Sequence, residues 1–158
     1  MKKLLPLCLL ALCSVAMMGC PYESHVPIDG GEPVDKRFVG NWSSEDETYN
    51  KYTVSPKSAT EYSILQKTVT GSTAKFTGSL CDVKGATFMN LYSDSTKTYY
   101  IYRIKFDPTG TKFTLMPVVE SLNQHFSSSV ALRSFVEKNL NLQSFYNNDD
   151  KEEFYKSE

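Results

Sequence analysis

The sequence has little of what small secreted folds and motif-bearing enzymes rely on. Three of its four cysteines, Cys8, Cys13 and Cys20, fall in the first 20 residues. Cys81 therefore stands alone in the rest of the chain, and no disulfide framework holds it. The two histidines are His25 and His125. Neither has a cysteine or carboxylate at metal-ligand spacing, which argues against a zinc site. There is no G-x-S-x-G and no H-E-x-x-H, and no glycine loop that could cradle a phosphate. The expectation is a protein that is not an enzyme and carries no cofactor and no metal. Nor is there an excess of positive charge: 17 basic side chains face 18 acidic ones. Without a basic face, the chain is not expected to bind nucleic acid or to dock on anionic lipid by charge. Long apolar runs are missing too, apart from one at the N-terminus.

That run is Met1 to Cys20, MKKLLPLCLLALCSVAMMGC. Lys2 and Lys3 give it a positive start, and Leu4 to Met18 are apolar apart from Ser14 and the break at Pro6. A permanent transmembrane helix needs about 20 such residues. A shorter run behind a basic start is a secretion signal, to be left out of the fold. Residues 1–19 are read as this signal. Their removal leaves 139 residues with 15 basic and 18 acidic side chains, one domain's worth. A chain of that length buries about two-thirds of its unfolded surface. Residues 20–37 follow as a tether. Pro21, Pro27, Pro33, two glycines and scattered charges predict an extended, mobile segment there. At about 3.3 Å per residue it would hold the domain up to roughly 50 Å from its start.

The domain is placed at residues 38–158. Short segments rich in Tyr, Phe, Thr, Ile and Val begin at Phe38 and recur, each ended by turn residues: 49–54, 61–68, 74–83, 86–92, 98–106 and 112–119. Such spacing predicts an antiparallel sheet, closed as a barrel or stacked as a sandwich. Asp107-Pro108-Thr109-Gly110 is the clearest turn, with Pro at the second position and Gly where φ turns positive. Tyr99-Tyr100-Ile101-Tyr102 is apolar on both faces, so that end of the sheet is covered twice or lines a cavity. Pro117 cannot donate to a ladder and marks an edge or strand end. After Phe126 the period changes to that of a helix. Ser127-Ser128-Ser129 offers N-caps, and Leu132, Phe135, Val136 and Leu140 follow at helical spacing. One helix over about residues 128–139 is expected, then a turn and a last short strand near Glu152–Lys156. Cys81 lies in a strand-like run and reads as a small buried residue, with a reactive thiol as the alternative. The acid clusters Glu45-Asp46-Glu47 and Asp149 to Glu153 read as solvated turns.

Two resemblances add to this reading. Met17-Met18-Gly19-Cys20 resembles the lipobox of bacterial lipoproteins. It implies diacylglyceryl transfer to the Cys20 thiol, cleavage before it and N-acylation with a fatty acid such as palmitate. Gly40-Asn41-Trp42 resembles the G-x-W opening of lipocalins, which implies that Trp42 plugs the closed end of a barrel or, alternatively, stacks on a ligand. Neither the second lipocalin motif nor the arginine that packs on this tryptophan has a visible counterpart. Val39 to Ser44 and Ser128 to Phe135 further resemble the opening and helix of small lipoproteins of Gram-negative bacteria, Bacteroidetes-like ones in particular. Asp94-Ser95-Thr96 resembles their O-glycosylation acceptor, a pattern also common by chance, which would place sugar on Ser95 or Thr96. Together these imply a mainly β protein: an antiparallel meander forming a lipocalin-like barrel or half-barrel of about seven or eight strands with one C-terminal helix. The expected role is that of a lipoprotein held by Cys20 in the cell envelope, at the outer membrane, binding a small apolar ligand in a β calyx. Trp42, Tyr100, Tyr102, Ile104, Leu115 and Met116 are the expected cavity liners. The alternative is a protein-interaction module in an envelope complex.

Overall fold

The computed structural model of the chain describes residues 22–44, 50–119 and 124–157. Cys20 and the leader lie outside them. Nine strands and one α-helix make up the described fold: β1 (Glu23–Ser24), β2 (Gly40–Ser44), β3 (Asn50–Pro56), β4 (Glu61–Thr68), β5 (Thr73–Val83), β6 (Ala86–Ser93), β7 (Thr98–Phe106), β8 (Lys112–Pro117), α1 (Ser129–Asn139) and β9 (Glu152–Ser157). Strands β2 to β8 pair in sequence order, all antiparallel, and β9 joins β8 to β2. The sheet is thereby closed as an eight-strand, lipocalin-like barrel with a single helix. Closure removes the unpaired edges that an open sheet exposes.

Closure also gives every strand an inner and an outer face, and two apolar clusters follow from it. Trp42, Val54, Tyr62, Ile64, Leu80, Met89, Ile104, Phe113 and Phe154 fill the inside with Phe38. Cys81, Val83, Phe88, Ile101, Met116 and Val118 form the outer cluster, under Leu132, Val136 and Leu140 of the helical segment and Phe145 and Tyr146 beyond it. The register fixes this division: Leu80 pairs Met89 and Met89 pairs Tyr102 inside, while Cys81 pairs Phe88 outside. Strands β6 and β7 are thus covered on both faces, the arrangement that Tyr99 to Tyr102 announces in the sequence.

The helix forms where its signals place it. Ser128 is extended, and its Oγ accepts from the Ala131 N–H at 3.2 Å. Leu132 and Val136, four residues apart, bury one face. Burying each is worth about 1.5–3 kcal/mol. The chain then turns through a 3₁₀ segment, Gln143–Phe145, before β9. At the β7–β8 turn Gly110 has φ +71°, and the Asp107 carboxylate accepts from the N–H groups of Thr109 and Lys112 and from the Thr109 hydroxyl.

Residues 22–37 depart from the expected mobile tether. They form a strap docked along the outer wall. Tyr22 and Ile28 are buried in the outer cluster, and β1 pairs with β7. Asn90 explains much of it. Buried on the outer face of β6, its amide oxygen accepts from the Ile28 N–H at 2.8 Å and its NH₂ donates to the Ile28 carbonyl at 3.1 Å. Arg133 of α1 adds bonds to the carbonyls of Asp29 and Asp82, each 2.7 Å. Further on, the Glu32 N–H donates to Leu80 O and the Val34 N–H to Ala59 O. Proline and glycine composition marks a segment that cannot be helix. It does not report side-chain partners waiting elsewhere in the chain.

Candidate functional site

The barrel interior is closed at one end and open at the other. Phe38 seals the closed end, with ring contacts to Tyr62, Phe106 and Phe113 at centroid distances of 5.1, 5.8 and 5.3 Å. Trp42 lies beside it, fully buried, its Nε1–H donating to Phe38 O at 2.9 Å and its ring meeting Phe113 edge-on. The Lys156 ammonium sits 5.3 Å from the Trp42 ring centroid. Trp42 is thus part of the plug and does not face the cavity.

Above the plug is a cavity of about 90 Å³. Its walls come from seven strands: Tyr52 and Val54 on β3, Ile64 on β4, Phe76 on β5, Met89 and Leu91 on β6, Tyr102 on β7, Phe113 and Leu115 on β8, and Phe154 with Glu152 on β9. Phe38 forms the floor and Asp150 joins from the turn before β9. At about 30 Å³ of liquid volume per water, the space corresponds to roughly three waters, room for a small organic group. Gly78 matters to this volume. A Cβ there would stand 2.8 Å from Ile64 Cδ1, so any larger residue would drive Ile64 aside within the barrel.

The polar groups are few and grouped. Tyr52 Oη accepts from Gln66 Nε2 at 3.0 Å. Leu115 pairs with Glu152 across β8 and β9, so both point inward. Glu152 is reached by water from the mouth, yet burial raises its pKa, and Asp150 beside it adds to the shift. Its neighbour Glu153 points outward and behaves oppositely. The Lys112 ammonium at 2.6 Å, then that of Lys151 at 3.2 Å, holds its carboxyl down at about 2.

Of the residues expected to line a cavity, Tyr102 and Leu115 do so. Trp42 and Ile104 face inward but are consumed by the packed interior. Tyr100 shares the inward phase of Tyr102 on β7 and pairs with Glu23, outside the cavity lining. Met116 is buried, but on the outer side beneath the helix. Its apolar neighbours in sequence made both faces of β8 look alike. The expectation missed Phe76, Met89, Leu91, Phe154 and the two carboxylates. Alternation in Glu152, Phe154 against Glu153, Tyr155 carries the missing signal: one acid of the cluster shares a face with a core phenylalanine.

Elsewhere, Cys81 is fully buried, and burial pushes its thiol up to about 12. That chemistry suits packing, not nucleophilic attack. Ser95 and Thr96 are exposed in the turn between β6 and β7. His25 and His125 are both exposed and far apart in the chain. Among the described residues, no three His, Cys, Asp or Glu side chains converge as a metal site would require, and no helix is long and apolar enough to cross a membrane. Comparison with protein-family models, with curated proteins and with solved structures finds no match to this chain.

Proposed function

We propose that this protein is a non-enzymatic lipoprotein of the bacterial envelope, acylated at Cys20, whose barrel binds a small apolar ligand. The observation that supports binding is the cavity itself: an apolar, aromatic-walled space inside a closed barrel, plugged at one end and open at the other. Its size favours a small ligand over a fatty acyl chain, since drug-sized ligands occupy about 300 Å³ or more. The competing reading, an interaction module, calls for a contiguous exposed apolar patch. Among the described residues, the exposed large apolar side chains Val69, Val130, Leu142 and Tyr155 lie instead on four separate segments.

The leader supports the anchor. Each buried acyl CH₂ contributes about 0.8 kcal/mol, and one chain anchors only marginally, so two or three are needed for stable residence. The docked strap changes the geometry of that anchor. Tyr22 is already packed on the barrel, so only Pro21, a span of about 7 Å at most, separates it from Cys20. The barrel would ride on the bilayer surface, at the outer membrane, and not at the end of a long leash. Cys20→Ala should release the protein from membranes or stall it as the precursor. A mutant that still fractionates with membranes in processed form sinks the anchor. Native mass spectrometry tests the calyx: uptake of small apolar probes supports it, and an apo mass unchanged at high probe concentration contradicts it.

A further inference from the structure

We propose that the ligand of the barrel is a small organic cation, an amine on an apolar body, whose ammonium group is met at the cavity mouth by Glu152 and Asp150. This deepens the calyx reading and rests on it. The cavity of about 90 Å³ is apolar along its walls, and its two charged groups are both carboxylates. No cation in the described residues neutralises Glu152. Lys112 and Lys151, the nearest in sequence and register, are both engaged with Glu153 on the outer side of the strand. The Asp150 carboxylate accepts from the Asn147 amide, a neutral donor.

Glu152 is exposed to solvent at the mouth while lining the apolar space, so a cation whose apolar body fills the cavity can bring its charge up to the carboxylate without leaving water. Crowding at the cavity rim and then the neighbouring Asp150 raise the pKa of Glu152, and a cation bound there would act in the opposite sense. Aromatic walls fit the same ligand, because a ring face attracts a cation within about 6 Å. Tyr52, Tyr102 and Phe154 supply such rings in the same cavity lining as the carboxylates. An anion would face two like charges, and a neutral molecule would leave Glu152 as it is. The arrangement therefore selects by charge as well as by size.

Benzylamine, benzyl alcohol and benzoate have nearly the same shape and differ in charge, so they separate the two claims. Calorimetric titration of the full chain near neutral pH should give benzylamine at least a tenfold tighter Kd than benzyl alcohol, with benzoate weakest. Glu152→Gln should bring benzylamine to the level of benzyl alcohol measured on the same variant, whose urea unfolding shows that it is folded; Asp150→Asn should narrow the gap in part. Equal affinities for amine and alcohol, or a preference that survives Glu152→Gln, overturn the cation claim and leave the calyx standing. If none of the three binds, both claims fall.

Discussion

Asn90→Ala is the sharpest probe of how residues 22–37 are held. Asn90 is 2% exposed and makes two hydrogen bonds to the backbone of Ile28, which is itself 2% exposed. Two routes are open to the variant. If the strap stays docked, the Ile28 N–H and C=O are left buried without partners, at about 1–3 kcal/mol each. If it peels away, those groups regain water, but the Ile28 side chain loses burial worth about 1.5–3 kcal/mol. The Glu32 and Val34 backbone bonds, about 1 kcal/mol each, would then be at risk as well. The cheaper route sets the cost, and the two converge on about 2–4 kcal/mol. Urea unfolding of the variant against wild type measures it, and amide hydrogen exchange at Ile28 tells the routes apart. Peeling predicts that Ile28 exchanges by local opening while core amides such as Ile104 stay protected. A change in stability below about 0.5 kcal/mol with Ile28 still protected would refute the clamp, and an Ile28 amide that exchanges freely in the wild type would restore the mobile tether.

Three further outcomes follow from local chemistry. Ser128→Ala removes the N-cap of α1 and should cost about 1 kcal/mol in urea unfolding, with Ser128→Asp close to wild type. Glu153 titrates near 2 in the folded chain against an ordinary 4.5, held down first by Lys112 and then by Lys151. A carboxyl lowered in this way contributes stability that is present above its unfolded pKa and lost as pH falls through the folded one. The acid-side decline between about pH 4.5 and 2 should therefore be shallower in Glu153→Gln, and salt should shrink the difference because the pair is partly exposed. Cys81, with its thiol pushed up to about 12, should resist iodoacetamide at pH 8 until the protein unfolds. Peptide mass spectrometry would show this, and fast labelling of the native protein would contradict the buried placement.

Much of the fold is written locally. Turn residues punctuate the strands at intervals, Asp107 to Gly110 specifies its own hairpin, and Ser128 with Leu132 and Val136 specifies α1. Barrel closure is less local: it needs β9 to find both β8 and β2, and Glu152 to Ser157 carries one buried apolar residue, Phe154. The strap is the least legible part, because Asn90 and Arg133 hold it from 62 and 104 residues away. The same limit applies to the cavity. Tyr102 and Leu115 could be named from apolar density, but whether an apolar side chain lines a space or fills one depends on its opposite wall. Ile104 and Leu115 are cross-strand partners, yet one packs and the other faces the cavity. Glu152 was hidden among three acidic neighbours, Asp149, Asp150 and Glu153, until strand register separated its face from that of Glu153.

The central claim is that the barrel interior, and not its outer wall, is where a ligand sits. Two methionines beyond the leader report on the two sides: Met89 lines the cavity and Met116 lies in the outer cluster. With ¹³C-methyl methionine in the full chain, assigned through Met89→Leu and Met116→Leu, titration with benzylamine should move the Met89 signal along a saturable curve. The Met116 signal should hold still. Movement of Met116 with Met89 unchanged would place the ligand outside the barrel and contradict the account.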